Sequence, residues 1–562
     1  MIQLPRPKLP SYDYDEWRRL PFPDRLRLVC QSWAEDGYGT PFLVYVAYLL
    51  KIGLYVGGWL AFCSLSSGLG GPSTLASWWA EPEALLKAVL WSMAFEILGL
   101  GCGSGPLTGR YLPPIGGVLY FARTGTLKRP LFPKLPLLGG ETRTALDVAL
   151  YLTHLALVFR ALAAPSVGLA ELVPIVVVFP LLAVADTTLF LASRAEHFFT
   201  ALVGFLFVSD ALAAQKIVWV SIWTWAAVSK LNRHFPAVVC VMISNSAVVR
   251  IPWLRRRMYA QHPDDLRPSK LAHVMAHMGT ITELVFPWVL FFGDGGTSTV
   301  VALAVMLGFH LFITSHVPMG VPIEWNVIMV YGAFVLFGAH AEVRAWEIEP
   351  ALAALLAIPC LVLPLLGNFF PRHVSFLLSM RYYAGNWAFS VWLVKREALD
   401  KLRRVRTSAP LVHDQLARLY DPATAGATVS KVMAFRAMHL HGRALRDLVP
   451  IAVDDVDAYE WLDGELVAGW ALGWNFGDGH LHDERLLRAI QARAGFEEGE
   501  LRCIFVESQP MLQPRLEYRV VDAKTGERAR GTIAVDALLE GQPWPEPHAA
   551  AGRSPLSPRP AS

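Results

Sequence analysis

Apolar runs about as long as a bilayer is thick fill the first two thirds of this chain, and they limit what it can fold into. A helix needs about 20 mainly apolar residues to cross roughly 30 Å of hydrocarbon. Ten stretches meet or approach that length: 41–63, 84–101, 144–163, 172–192, 197–210, 211–231, 271–292, 299–317, 323–340 and 350–370. The stretch 197–210 is short and reads as a half-helix or re-entrant segment, so eight to ten spans are expected. Only 17% of the 562 residues are charged and 54% are hydrophobic, too little charge to cover a water-exposed surface of this size. The same composition excludes a disordered chain. Six scattered cysteines exclude a disulfide scaffold. A net charge of +3 gives no nucleic-acid signature. Residues 1–40 are charged and Pro-rich without an apolar h-region, so the run at 41–63 reads as a signal anchor that is retained.

Loop charge orients these spans. Segments 1–40, 102–143, 232–270 and 371–406 hold six, six, seven and eight Lys or Arg, whereas 65–83, 164–171 and 293–298 hold none. Ten spans place every basic segment on one side. The positive-inside rule then puts both termini in the cytoplasm of a bacterial inner-membrane protein. Residues 374–394, apolar but interrupted by Arg381, Gly385 and Asn386, read as interfacial or re-entrant helices within a linker covering 371–410.

The pattern changes near Leu411. Residues 411–421, 427–446 and 483–495 read as helices, and 465–475, 501–508, 515–522 and 529–535 as strands, with a hairpin turn at 523–526. The expected fold is therefore an all-α polytopic membrane helix bundle over 41–370, preceded by a cytoplasmic segment 1–40. A small cytoplasmic α+β domain follows at 411–540, expected to fold alone and able to dock a protein partner, and then a disordered tail at 541–562.

Ionisable residues inside spans are costly and are functional candidates for that reason. They are Lys51, Glu96, Asp147, His154, Arg160, His273, His277, Glu283, His310 and His316. Asp147 and His154 share a helix face, as do His273 and His277, and such groups could carry protons or contact a substrate. A di-iron site of the desaturase type uses adjacent His-His pairs, and this chain has none, so no metal is expected. The stretch "NFGDGHLHDE" at 475–484 groups Asp478, His480, His482, Asp483 and Glu484. It reads as a polar loop in which Asp483 caps the next helix. "GLGCGSGPLTGR" at 99–110 lacks the Gly-Lys-Ser/Thr ending of a phosphate loop and reads as a tight membrane-exit turn. The basic stretches 102–143 and 250–270 suit anionic lipid headgroups.

Three stretches carry a resemblance: "WTWAAVSKLNRHFPAVVCVMISNS" at 223–246, "GFHLFITSHVPMGVPIEWNVIMV" at 308–330 and "MRYYAGNWAFSVWL" at 380–393. Together they resemble an uncharacterised family of bacterial multi-pass proteins, over nearly the whole chain. More distantly they look like the membrane domain of vitamin K-dependent γ-carboxylase and its bacterial relatives. That resemblance implies that Lys230 matches a lysine acting on a reduced quinone, with His310 on a neighbouring helix and a quinone as the implied cofactor. The expected activity is the handling of a lipophilic, lipid- or quinone-like molecule in a helix-bundle pocket. A proton-coupled transporter using Glu96, Asp147 and the histidines is the rival expectation, and a non-catalytic scaffold the third.

Overall fold

The computed structural model describes residues 7–316, 322–545 and 556–559. Among them, seven helices are long and apolar enough to cross a membrane, spanning Phe42–Cys63, Pro82–Ser104, Ala145–Ala163, Val208–Ser229, Lys270–Phe292, Thr297–Thr314 and Pro350–Phe369. Three shorter apolar helices, Leu169–Ala185, Phe235–Asn245 and Ile323–Ala339, pack among them. The short stretch at 197–210 is a helix of eight residues, Phe198–Phe205. The expected span 172–192 breaks at Asp186. There the carboxylate accepts the Thr188 N–H at 3.0 Å and the Arg143 guanidinium at 2.6 Å, ending one helix and capping the next. Within 232–270, read as a basic loop, Phe235–Asn245 forms a buried helix whose apolar face the flanking arginines disguise.

The charge asymmetry has a structural counterpart. On the charge-poor side, Lys87 Nζ donates to the carbonyls of Phe62, Leu162 and Ala164 at 2.9–3.0 Å. Lys216 likewise donates to His340 and Val343. Each lysine gathers helix C-termini, where carbonyls lack intrahelical partners. The basic segments all meet the α+β region on the opposite side. Arg129 pairs with Asp483 at 2.7 Å, and Gly37 O accepts Lys431 Nζ at 3.0 Å. Residues 7–40 are part of this layer: the helix Phe22–Asp36 packs on Pro422–Met438, with the Trp33 and Phe435 rings 5.6 Å apart.

The α+β region departs from its sequence pattern in three places. A six-stranded antiparallel sheet runs in the order β2–β1–β3–β4–β5–β6, where β1 is Phe389–Lys395, β2 Tyr459–Asp463, β3 Leu501–Val506, β4 Arg515–Asp522, β5 Gly526–Ala534 and β6 Leu556–Arg559. First, β1 lies inside the stretch read as interfacial helices, and residues 374–388 before it are irregular, with Met380, Tyr383 and Gly385 at positive φ. β1 is buried on both faces, so its continuous apolar run mimicked a membrane segment. Because β1 pairs with β2 and β3, residues 411–540 lack a strand of their own sheet. Second, 465–475 is a helix, Gly464–Leu472, capped by Asp463 and stopped by Gly473 at φ +90°. Third, within the tail expected to be disordered, 556–559 pairs with β5; residues 546–555 and 560–562 lie outside the described residues.

Candidate functional site

A cavity lies where the membrane helices meet the sheet region. It has about 110 Å³ of room for the centre of a water-sized sphere. That is close to the roughly 150 Å³ of an apolar cavity that takes one benzene ring. The helix Ala211–Ser229 and its C-cap supply Trp223, Ala226 and Lys230. Neighbouring helices supply Glu283, His310, Trp325 and Asn326. The irregular segment before β1 supplies Phe376, Tyr382, Tyr383 and Trp387. The sheet region closes the cavity with Phe435, Glu465, Asn475 and Phe476. All three stretches singled out in the sequence thus contribute to one wall or another.

Its polar groups fall at three places. Lys230 Nζ forms an ion pair with Glu283 Oε2, with the two side chains only 2% and 5% exposed, and the Phe235 ring centre lies 5.5 Å from the ammonium. His310 has both ring nitrogens engaged. Trp223 Nε1–H, which can only donate, donates to His310 Nε2 at 3.0 Å, so His310 Nδ1 carries the proton and donates to Asn326 Oδ1 at 2.7 Å. His310 is therefore a neutral brace between three helices, and it does not present a free base to the cavity. At the third place, Tyr382 O–H donates to Glu196 Oε1 at 2.7 Å, which also accepts Arg194 Nε at 2.9 Å. The Arg194 guanidinium stacks 4.8 Å from the Trp325 ring. Between these anchors, Asn475 Oδ1 and Nδ2, Tyr383 Oη and Trp387 Nε1 are buried without a partner among the described residues. Buried polar atoms are nearly always hydrogen-bonded, so a set of donors and an acceptor on one cavity wall suits a bound polar group.

The other candidate residues lie elsewhere. Glu96 lies with Glu324 beside Gly101, whose carbonyl accepts Lys51 Nζ at 3.2 Å. A Cβ on Gly101 would meet Glu96 Oε2 at 2.1 Å, so a side chain there would have to displace the Glu96 carboxyl. Asp147 accepts Lys128 Nζ at 2.6 Å and closes a capping box with Thr144. His154, on the same helix, packs against Phe179 with ring centroids 5.3 Å apart and bonds neither ring nitrogen. His273 and His277 do share a face, but it is an exposed one, away from the cavity. His316 caps its own helix end through Nδ1 and Ile313 O at 3.2 Å. Arg160 donates to Ala170 O at 2.7 Å.

No group of three or more His, Cys, Asp or Glu side chains among the described residues could hold a metal. In the 475–484 stretch Asp483 caps the helix Glu484–Ala494 as expected, while His480 and His482 sit on a 3-10 turn. Burial opposes charge on His480 most strongly, but its hydrogen bond to Glu507 at 3.3 Å and the charges of Glu507, Asp478 and Asp483 together outweigh this and raise it to about 8. His482, buried and bonded through Nδ1 to Ser390 Oγ, is pushed down to about 3. The glycine-rich turn at 99–110 packs on the sheet region, with Asn475 N–H donating to Gly103 O at 3.0 Å, and brings Leu107 and Thr108 to the cavity.

Sequence reasoning placed Lys230, His310 and Glu283 among the candidates but missed Asn326, Tyr382, Tyr383, Trp387 and Asn475. The first four lie within the quoted stretches and carried a signal there. Asn475 opens the stretch 475–484 that reads as a polar loop.

No solved structure matches the chain. A curated FO synthase of Streptomyces avermitilis is 34% identical over 125 residues, 20% of this chain and 14% of that protein. So small a share shows neither a family nor an activity. The carboxylase resemblance gains no support from these matches. A family model covers residues 3–554, nearly everything from one end to the other, and by that coverage the chain belongs to the family described as "Transmembrane protein of unknown function (DUF3556)".

Proposed function

We propose that this protein binds a lipophilic molecule with a single polar ring or headgroup. The polar part enters the cavity beside Lys230 and Glu283, and the tail extends toward the bilayer. The observation that carries this reading is the cavity wall itself. Aromatic side chains enclose a ring-sized space that contains one buried ion pair, with unpartnered donors at Tyr383, Trp387 and Asn475 and an unpartnered acceptor at Asn475 Oδ1. A quinone or quinol head fits that chemistry, because its two oxygens accept or donate hydrogen bonds while its ring stacks on aromatics. In this reading Lys230 and Glu283 are the groups that hold or move a proton at the ligand's oxygen.

The experiment is mass spectrometry of small molecules retained by the purified protein, comparing wild type with Ala226→Phe. Ala226 is small, buried and on the cavity wall, so phenylalanine fills the space. A retained quinone- or lipid-class molecule that the variant loses supports the reading. Equal retention by both proteins places the molecule elsewhere and sinks it.

A transporter reading rests on a separate observation. The Glu96 and Glu324 carboxyl groups meet beside Gly101, whose carbonyl accepts Lys51 Nζ at 3.2 Å, and two buried acids this close are a place where a proton can be shared. Proton uptake on ligand binding that Glu96→Gln abolishes would favour it. As to placement, the basic face that carries both ends of the chain is the cytoplasmic one by the positive-inside rule. Reporter fusions after residues 120 and 260 should both behave as cytoplasmic.

A further inference from the structure

A second pocket opens where the span Lys270–Phe292 leaves the sheet region. It has about 340 Å³ of room by the same measure, and Arg233, Arg267, His273, Arg443 and Ala260 are on its wall. Arg443 is 1% exposed. Its Nη1 donates to the carbonyls of Gly541 at 2.9 Å and Leu538 at 3.1 Å, while its buried Nε has no partner and no carboxylate pairs with it among the described residues. Arg267 pairs with Asp265, and Arg233 with Asp536. The charge these carboxylates leave unbalanced is therefore that of Arg443. A buried cation without a counter-ion is costly, and a bound anion would offset that cost.

The surroundings indicate which anion. His273 lies in the first turn of a membrane span. Its Nδ1–H donates to Ser269 O at 2.9 Å, which fixes the ring on the pocket wall. Below it on the same helix, Val274, Met278, Ile281 and Val285 are 51–59% exposed at i, i+4, i+7 and i+11, a continuous apolar stripe leading away from the pocket. A basic pocket at headgroup depth, continuous with an acyl-length apolar stripe, matches a lipid better than a free ion.

We propose that this pocket binds the phosphate of an anionic phospholipid, with an acyl chain along the Val274–Val285 stripe. The site is independent of the cavity at Lys230.

The test is native mass spectrometry of the full chain titrated with phosphatidylglycerol, with phosphatidylcholine and with inorganic phosphate. Phosphatidylglycerol should bind in preference to phosphatidylcholine. Ala260→Glu, which adds a carboxylate at an exposed strand position on the pocket wall, should weaken phosphatidylglycerol by at least about tenfold without lowering the unfolding temperature. Arg443→Gln should do the same, and the exposed Ala260 variant keeps the test valid if that one fails to fold. Equal binding of the two lipids, or unchanged binding by a folded Ala260→Glu protein, overturns the proposal. Tight phosphate binding without lipid preference also overturns it, by making the pocket a free-phosphate site.

Discussion

Lys128–Asp147 and Lys230–Glu283 are the same chemical pair in two settings. Both are buried and both tie a membrane helix to a neighbouring segment. Around the first, the available hydrogen bonds are made. Lys128 Nζ also donates to Leu138 O at 2.8 Å, and the second Asp147 oxygen accepts Thr144 N–H at 2.7 Å and Thr144 Oγ1–H at 2.9 Å. Around the second, Lys230 bonds Glu283 and faces an aromatic ring, and beyond them lies the cavity. Taking two charges out of water costs several kcal/mol per ion. The first pair offsets this by capping a helix and pinning a loop. The second has no such network, and the proposed ligand would make use of its charges.

Substitution should separate the two pairs. Lys128→Met strands the Asp147 carboxylate in a dry site and should cost about 3–5 kcal/mol, read as a large fall in unfolding temperature in detergent. Removing both partners there, as Lys128→Met with Asp147→Leu, should not restore stability, because Thr144 N–H and the helix start lose their acceptor. At the cavity, Lys230→Met alone should cost less, about 1–3 kcal/mol, since Glu283 can be hydrated from the open space. The double variant Lys230→Met with Glu283→Leu should return to within about 1 kcal/mol of wild type yet lose the retained ligand. A double variant that keeps its ligand would make the second pair as structural as the first. A smaller effect is expected from Trp223→Phe, which removes the donor to His310 Nε2 and should cost about 1 kcal/mol by leaving that nitrogen unpaired. Ligand retention should survive, because His310 braces the wall through Trp223 and Asn326 and offers no free ring nitrogen to the cavity.

The sequence singled out Asp147, Lys230 and Glu283, but neither Lys128 nor which residue pairs with which. Spans were legible because hydrocarbon demands length and apolarity together. Seven helices of the expected bundle emerged at nearly the expected bounds, and the basic segments gathered on one side. Strand β1 was not legible, since a strand buried on both faces has no alternation to show. Nor was the cavity as a whole. Lys230 and His310 stand 80 positions apart, and the groups between them come from residues near 380 and 475, so only folding brings them together. The break at Asp186 had a local sign, an acid within an apolar run. Its meaning depended on Arg143, which spacing alone could not assign.

The smallest expected effect lies in the sheet region, away from both lysine pairs, and it sharpens the contrast by showing a charge pair that is partly reached by water. His480 faces Glu507 at 3.3 Å and Asp478 at 4.0 Å, with its own side chain 25% exposed. Its folded value of about 8 lies above the ordinary 6.5, so the protonated ring stabilises the fold. That contribution is complete below about pH 6.5 and is lost as pH rises through 8. Of the neighbouring groups, burial raises Asp478, while three others stay outside this window. His482 is held near 3, Asp483 near 2, and Glu507 below its usual carboxylate range. Screening by solvent should keep the effect to about 1 kcal/mol. Unfolding temperatures of wild type and His480→Gln should therefore differ at pH 6 and converge by pH 9. A difference that persists unchanged at pH 9 would mean the ring contributes by packing, and the Glu507 pairing would carry no stability of its own.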